Sequence, residues 1–129
     1  MPSPNFPVPV LQNGIKVTNE PPRGLRANLM RTFLDLSSED YESCLKSAVF
    51  KKLVISTAFF NANILERRKF GAVGWNIQYE WMNSDLKALM TTIRLYIDEQ
   101  DEVPWETLNV QGSEIIYGGR VTDLWDKRF

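Results

Sequence analysis

The stretch that decides the fold is Ala48-Val49-Phe50-Lys51-Lys52-Leu53-Val54-Ile55-Ser56-Thr57-Ala58-Phe59-Phe60-Asn61-Ala62-Asn63-Ile64-Leu65-Glu66-Arg67-Arg68-Lys69. It holds no proline or glycine, and Val49, Phe50, Leu53, Val54, Phe59, Ala62 and Leu65 populate much of a helical circumference. A helix apolar around so much of its surface is expected at the centre of a bundle rather than on its outside. Gly71 is expected to end it, after the three cations Arg67-Arg68-Lys69 that suit a helix C-terminus.

Helices of similar patterning flank this one. Toward the N-terminus, Leu25, Leu29, Phe33 and Leu36 recur at helical spacing after Pro21-Pro22. A short helix with Ser38 as N-cap and Glu39 and Asp40 in its first turn is expected next. Toward the C-terminus, Ser84-Asp85 is expected to cap a helix in which Leu86, Leu89, Met90, Ile93, Tyr96 and Ile97 follow the i, i+3, i+4 rule. The intervening loop, residues 70–83, carries Phe70, Trp75, Tyr79 and Trp81 and is expected to fold down on the core, since a free loop would leave a costly apolar patch.

The ends read less regularly. Val8 to Gln12 and Ile15 to Thr18 flank Asn13-Gly14, the residue pair that favours a tight β-hairpin turn. Beyond the solvated acidic break Asp98 to Glu102, Pro104 opens a short turn with Trp105 and Leu108. Ile115-Ile116-Tyr117 reads as a short strand, and Val121 to Phe129 as the start of a further helix with Thr122 as its cap. The fold class expected is mainly α, a helical bundle with a short N-terminal β-hairpin.

The chain has 129 residues, fifteen Lys and Arg against sixteen Asp and Glu, and a net charge of −1. That balance gives no attraction to nucleic acid or to an anionic membrane, and no apolar run is read as long enough to span a bilayer. There is no histidine, which removes Ser-His-Asp and Cys-His catalysis and the usual zinc patterns. No Gly-rich phosphate loop is present either. The single cysteine, Cys44, excludes an internal disulfide and reads as a packing residue. No catalytic residue, metal ligand or cofactor site is expected.

Three stretches go beyond generic helix patterning: Asn19-Glu20-Pro21-Pro22-Arg23-Gly24-Leu25-Arg26-Ala27-Asn28-Leu29; Glu66-Arg67-Arg68-Lys69-Phe70-Gly71, continuing through Gly74-Trp75-Asn76-Ile77 to Tyr79-Glu80; and Tyr117-Gly118-Gly119-Arg120-Val121-Thr122-Asp123, followed by Trp125-Asp126-Lys127-Arg128. In this order and spacing they resemble the lid of the sixth AAA+ unit in axonemal dynein heavy chains. Ala72, Gln78, Ser113 and Leu124 depart from the family's usual residues. The resemblance implies that residues 1–22 are the end of that unit's large subdomain and residues 23–129 a helical AAA+ lid, cut from a longer chain.

It further implies an intact minus-end-directed, ATP-driven microtubule motor of the cilium or flagellum axoneme, with ATP and Mg bound elsewhere in the parent. The expected role of the lid is non-catalytic: to hold ring geometry and relay changes from the ATP-binding units. Expected partners are the neighbouring AAA+ subdomains and the C-terminal region of the same heavy chain. Dynein intermediate and light chains and microtubules are reached only through the parent. Arg26 stands where AAA+ lids often carry a nucleotide-sensing arginine, though a structural contact is the better expectation for it. Arg67, Trp81 and Arg120 are the interface candidates, with Asp123 or Asp126 as carboxylate partners for Arg120. The competing reading is a free-standing helical protein-interaction domain, and a third, an enzyme built on the acids at 98–102, lacks any basic or metal-binding counterpart.

Overall fold

The computed structural model describes residues 7–15, 17, 22–37, 41–42 and 44–128. Helix α1 covers Val8–Asn13 and α2 Leu25–Asp35. The central helix α3 runs Ser47–Arg67 and continues as a 3-10 segment, Arg68–Val73. Then come α4, Asn83–Glu99, and α5, Trp105–Asn109, which leads into a π-helical segment, Val110–Tyr117. Two 3-10 turns, Gly118–Arg120 and Asp126–Arg128, finish the described chain.

Helix α3 packs against α2 on one side and α4 on another, and the π-helical segment lies on α4. The buried α3 residues Phe50, Val54 and Ile64 share one core cluster with Leu86, Leu89, Met90, Ile93 and Ile97 of α4. Each Leu or Ile buried to this degree contributes roughly 1.5–3 kcal/mol of transfer free energy, so the α3–α4 seam carries the fold. Phe59, expected in the core, is 51% exposed. Its neighbour Phe60 faces inward instead and meets Tyr117 edge-on at 5.1 Å. In length and apolar content the stretch Ser47–Val73 meets the size of a membrane span, contrary to the expectation above. Its packing between α2 and α4 gives that composition a structural use.

The ends of these helices are tied by side chains. Asp85 accepts the Met82 backbone N–H at 2.8 Å and so closes the first turn of α4. Asp98, near the end of α4, accepts the backbone N–H of Leu45 at 3.0 Å and the Cys44 thiol at 3.1 Å. Burial, reinforced by that bond to Asp98, pushes the Cys44 thiol above its ordinary range. Lys46 donates to the carbonyls of Gln100 and Asp101, where unsatisfied C=O groups of a helix end favour a cation. Asp98 is thus a structural ligand and not part of a solvated break.

Four expectations about the ends need correction. Val8–Asn13 is helix and not the first strand of a hairpin. Pro9 lies in the first turn, where its missing N–H costs nothing. Gly14 ends the helix at φ −89°, donating to Val10 O at 3.0 Å, whereas the hairpin turn requires positive φ at both central residues. Lys16 and Thr18 of the expected second strand, and the expected cap residues Ser38, Glu39 and Asp40, lie outside the described residues. Ile115-Ile116-Tyr117 is π-helical, continuing the helical path of α5. Val121 to Asp123 has no regular structure, and among the described residues only a 3-10 turn, Asp126–Arg128, follows. Asp123, not Thr122, caps it, by accepting the N–H groups of Trp125 at 2.9 Å and Asp126 at 3.1 Å.

Candidate functional site: a cation-rimmed aromatic cleft

At the C-terminal end of α3 the chain must turn through about ten residues and bring three aromatic rings back onto the bundle. Gly71 makes the break, with φ 53° and ψ −133°, a sparsely populated conformation that costs a side-chain-bearing residue about 1–3 kcal/mol. Gly74 permits the return: a Cβ there would lie 1.9 Å from the Arg67 carbonyl oxygen. The Arg67 guanidinium donates to Gly74 O at 2.8 Å and lies 3.9 Å from the centre of the Trp75 ring. One side chain thereby holds both the turn and the first aromatic.

Beyond the turn, Trp75, Tyr79 and Trp81 are each 5–6% exposed. Trp75 and Tyr79 meet edge-on at 5.8 Å, and Trp81 tilts against both at 5.1 and 5.5 Å. Their polar atoms are satisfied. The Trp75 indole donates to Ile64 O and the Trp81 indole to Tyr117 O, both at 3.2 Å. The Tyr117 hydroxyl donates to Asn61 Oδ1 at 2.9 Å. Burial, with the nearby Asp85 carboxylate adding to it, raises the Tyr117 phenol far above its ordinary range.

The three stretches singled out in the sequence meet here. The Gly24 N–H, in the middle of the first, donates to Glu66 Oε2 of the second at 3.0 Å, and Lys69 pairs with the same Glu66 carboxylate. Asp126 of the third accepts the backbone N–H of Asn76 at 3.0 Å, that of Ile77 at 3.3 Å, and the Tyr79 hydroxyl at 3.0 Å. The Tyr79 oxygen in turn accepts the Asp123 N–H at 3.1 Å, and the Asn76 side chain donates to Asp123 Oδ1 at 3.1 Å. The Asn76 bond, followed by the backbone N–H groups at Asp126 and Trp125, holds the Asp123 carboxyl below its ordinary pKa.

Between the end of α3, the π-helical segment and the C-terminal turn lies an open cavity of about 560 Å³. Phe60, Ile64, Trp81 and Tyr117 form apolar walls, and Arg67, Lys127 and Arg128 bring cations to its lining. Two of the interface candidates, Arg67 and Trp81, therefore share one site. Trp81 contributes as a buried wall and not as a protruding anchor. Arg120 is not among the lining residues: its guanidinium pairs with Asp85 at 2.8 Å, replacing the expected Asp123 or Asp126. Arg26 is exposed in the first turn of α2 and does not line the cavity. Lys127 and Arg128 belong to the third stretch but are not singled out as site residues by the sequence, because a lone basic pair resembles any solvated surface.

Among the described residues no group of three or more His, Cys, Asp or Glu side chains is placed to hold a metal ion. The site offers shape, rings and positive charge.

Residues 50–129 match the family of the dynein heavy chain AAA lid domain. Dynein axonemal heavy chain 1 of Homo sapiens is 48% identical over 128 residues, which is 99% of this chain and 3% of that protein. Dynein axonemal heavy chain 3 of Mus musculus is 49% identical over 130 residues, 98% of this chain and again 3% of the relative. Dynein axonemal heavy chain 6 of Homo sapiens is 47% identical over 128 residues. This chain thus spans about 3% of the length of these relatives. With well over half of its residues covered by the family model and nearly all of them by the relatives, the chain belongs to the dynein heavy chain AAA lid family.

Proposed function

We propose that the chain is the lid of the sixth AAA+ unit of an axonemal dynein heavy chain, with residues 1–22 closing that unit's large subdomain and 23–129 forming the lid proper. Its role is structural coupling in the motor ring. It catalyses nothing itself, and serves ATP-driven, minus-end-directed microtubule motility of the intact heavy chain in the axoneme of a cilium or flagellum. ATP and Mg act at other units of the parent. The partners of the lid are the neighbouring AAA+ subdomains and the C-terminal region of the same polypeptide, and intermediate chains, light chains and microtubules are engaged only by the whole motor.

The observation that carries this reading is the hold of Asp126 on Asn76, Ile77 and Tyr79. Together with the Gly24–Glu66 bond, it joins the entry to the lid, the end of its central helix and its C-terminal turn. A displacement imposed at one of these points is carried to the others by short polar contacts around a packed aromatic cluster, the kind of contiguous element through which coupling travels. The test is Asp126→Ala in a complete heavy chain. ATP binding should persist while microtubule-stimulated ATP turnover falls by about tenfold, a loss of roughly 1.4 kcal/mol of coupling. Unaltered stimulation in a variant that retains its ring by electron microscopy would refute the coupling role.

A further inference from the structure

The cavity beside Trp81 has a mixed character that ordinary core packing does not require. Its walls are the rings of Phe60, Trp81 and Tyr117 with the Ile64 side chain, yet Arg67, Lys127 and Arg128 also line it. Of the two carboxylates in its lining, Asp126 is buried and already accepts from Asn76, Ile77 and Tyr79. That leaves Glu114 as the carboxylate that shares the lining with Lys127 and Arg128. Among the described residues Lys127 has no carboxylate partner, and Arg128 lies 5.0 Å over the ring of Trp125, itself 65% exposed. Leu124, 78% exposed, lies beside Trp125 in the same C-terminal turn. A hole walled by rings and edged by Lys127 and Arg128 complements an apolar side chain flanked by carboxylates.

We infer that this cleft is the docking site for an acidic, apolar segment of the same heavy-chain polypeptide, one large apolar side chain entering the cavity and an adjacent Asp or Glu meeting Lys127 and Arg128. The inference rests on the reading of the chain as a ring component and adds the chemistry of what the lid grips. Charge complementarity selects the acidic flank. The length of polypeptide outside these residues, about 97% of a relative since the chain spans 3% of it, supplies ample candidate segments, and binding one of them is intramolecular and spared the cost of recruiting a second molecule. Arg67 couples occupancy to the rest of the lid, because the guanidinium that faces the cleft also holds Gly74 and Trp75. Filling the cleft braces the turn after α3, and emptying it leaves that turn to its own hydrogen bonds.

The test places the photoreactive residue p-benzoylphenylalanine at Ser113, which lines the cleft and is exposed, in a complete heavy chain. Cross-linked peptides are then read by mass spectrometry, with and without K127E/R128E. The expected product is a peptide of the same polypeptide, outside these 129 residues, with an apolar residue beside Asp or Glu. Its yield should fall about tenfold in the charge-reversed chain, whose folding is verified by near-ultraviolet circular dichroism. Cross-links to a separate polypeptide, to a basic or uncharged peptide, or to Phe129 of this chain would overturn the inference. So would the absence of any cross-link, or a yield indifferent to K127E/R128E. Each of these leaves the coupling role untouched, since that role is judged by ATP turnover of the Asp126→Ala motor.

Discussion

The Asp126 carboxylate accepts the backbone N–H of Asn76 at 3.0 Å across 50 residues of chain, with its second oxygen taken by the Tyr79 hydroxyl. This contact is why a turn rich in aromatics can lie flat on a helical bundle: its backbone donors are satisfied by a side chain brought in from the C-terminus. Removing Asp126 strands several polar groups at once. Asp126→Ala is expected to destabilise the isolated chain by roughly 3 kcal/mol, the cost of unpaired partly buried donors. Asp126→Asn, which keeps one acceptor, should cost less. Urea denaturation of the three proteins checks the order, and equal midpoints for wild type and Asp126→Ala would contradict the geometry.

The neighbouring Asp123 sets a pH dependence. Its carboxyl is held below its ordinary pKa by the Asn76 side chain first and by the N–H groups of Asp126 and Trp125 after it. A lowered folded-state pKa means that the unfolded chain takes up the proton first. The stabilisation is therefore complete above about pH 4 and is lost as pH falls through the folded value. Melting temperatures of wild type and Asp123→Asn should be separated by a constant gap from neutral pH to about pH 5. The gap should then close on acidification, and a gap that widens in acid would have the wrong sign.

Two glycines in the same turn are required for different reasons, and alanine separates them. At Gly74 a methyl group would lie 1.9 Å from Arg67 O and 3.3 Å from the Phe70 Cβ, so the turn must open. At Gly71 there is free space, and only the φ of 53° opposes a side chain. Gly71→Ala is expected to cost about 1–3 kcal/mol. Gly74→Ala should cost at least the upper end of the overpacking range, about 3 kcal/mol, and should shift near-ultraviolet circular dichroism of the tryptophans. The reverse ranking would mean that the turn relaxes at Gly74.

In the helical core the contrast is between Ile93, 5% exposed on α4, and Phe59, 51% exposed on α3. Ile93→Ala should cost roughly 2–5 kcal/mol, as for other buried aliphatic truncations. Phe59→Ala should cost less than about 1 kcal/mol in the isolated chain. Equal losses at both positions would show Phe59 to be covered in solution.

The same contrast shows what the sequence could reveal. The i, i+3, i+4 pattern of Leu86, Leu89, Met90, Ile93, Tyr96 and Ile97 places one face of α4: all but Tyr96 are buried, and Tyr96 is partly buried against the same cluster. In α3 the apolar residues run around the circumference, so periodicity could not tell Phe59 from Phe60. Local signals also failed where the backbone had two uses for the same residues. Asn13-Gly14 can turn a hairpin or end a helix, and Ile115-Ile116-Tyr117 suits a strand until α5 carries it on as a π-helix. The contacts of the cleft were not legible, because Arg120 finds Asp85 across 35 residues and Asp126 finds Asn76 across 50. Such partners are fixed by packing, and no spacing rule encodes them.

Tyr117 brings the cleft and the core together, and its hydroxyl provides the last test. The phenol donates to Asn61 Oδ1 at 2.9 Å, in a residue only 6% exposed, while the ring packs on Phe60 and Trp81. Tyr117→Phe keeps both ring contacts and leaves the Asn61 oxygen without its donor, an expected loss of about 1–3 kcal/mol. The alkaline limb distinguishes this from a simple packing defect. Burial first, and the Asp85 charge second, raise the phenol's pKa in the folded protein, so the folded state retains a proton that the unfolded chain gives up near pH 10. A raised folded-state pKa contributes stability that is complete below the unfolded value and declines as pH rises beyond it. The advantage of wild type over Tyr117→Phe should accordingly hold constant from neutral pH to about pH 9 and shrink above about pH 10. Denaturant midpoints measured across that range decide the matter. An advantage that stays level through the alkaline range would show that the Tyr117 hydroxyl ionises in the folded protein as readily as in the unfolded chain, and that it is not sealed between Asn61 and the aromatic walls.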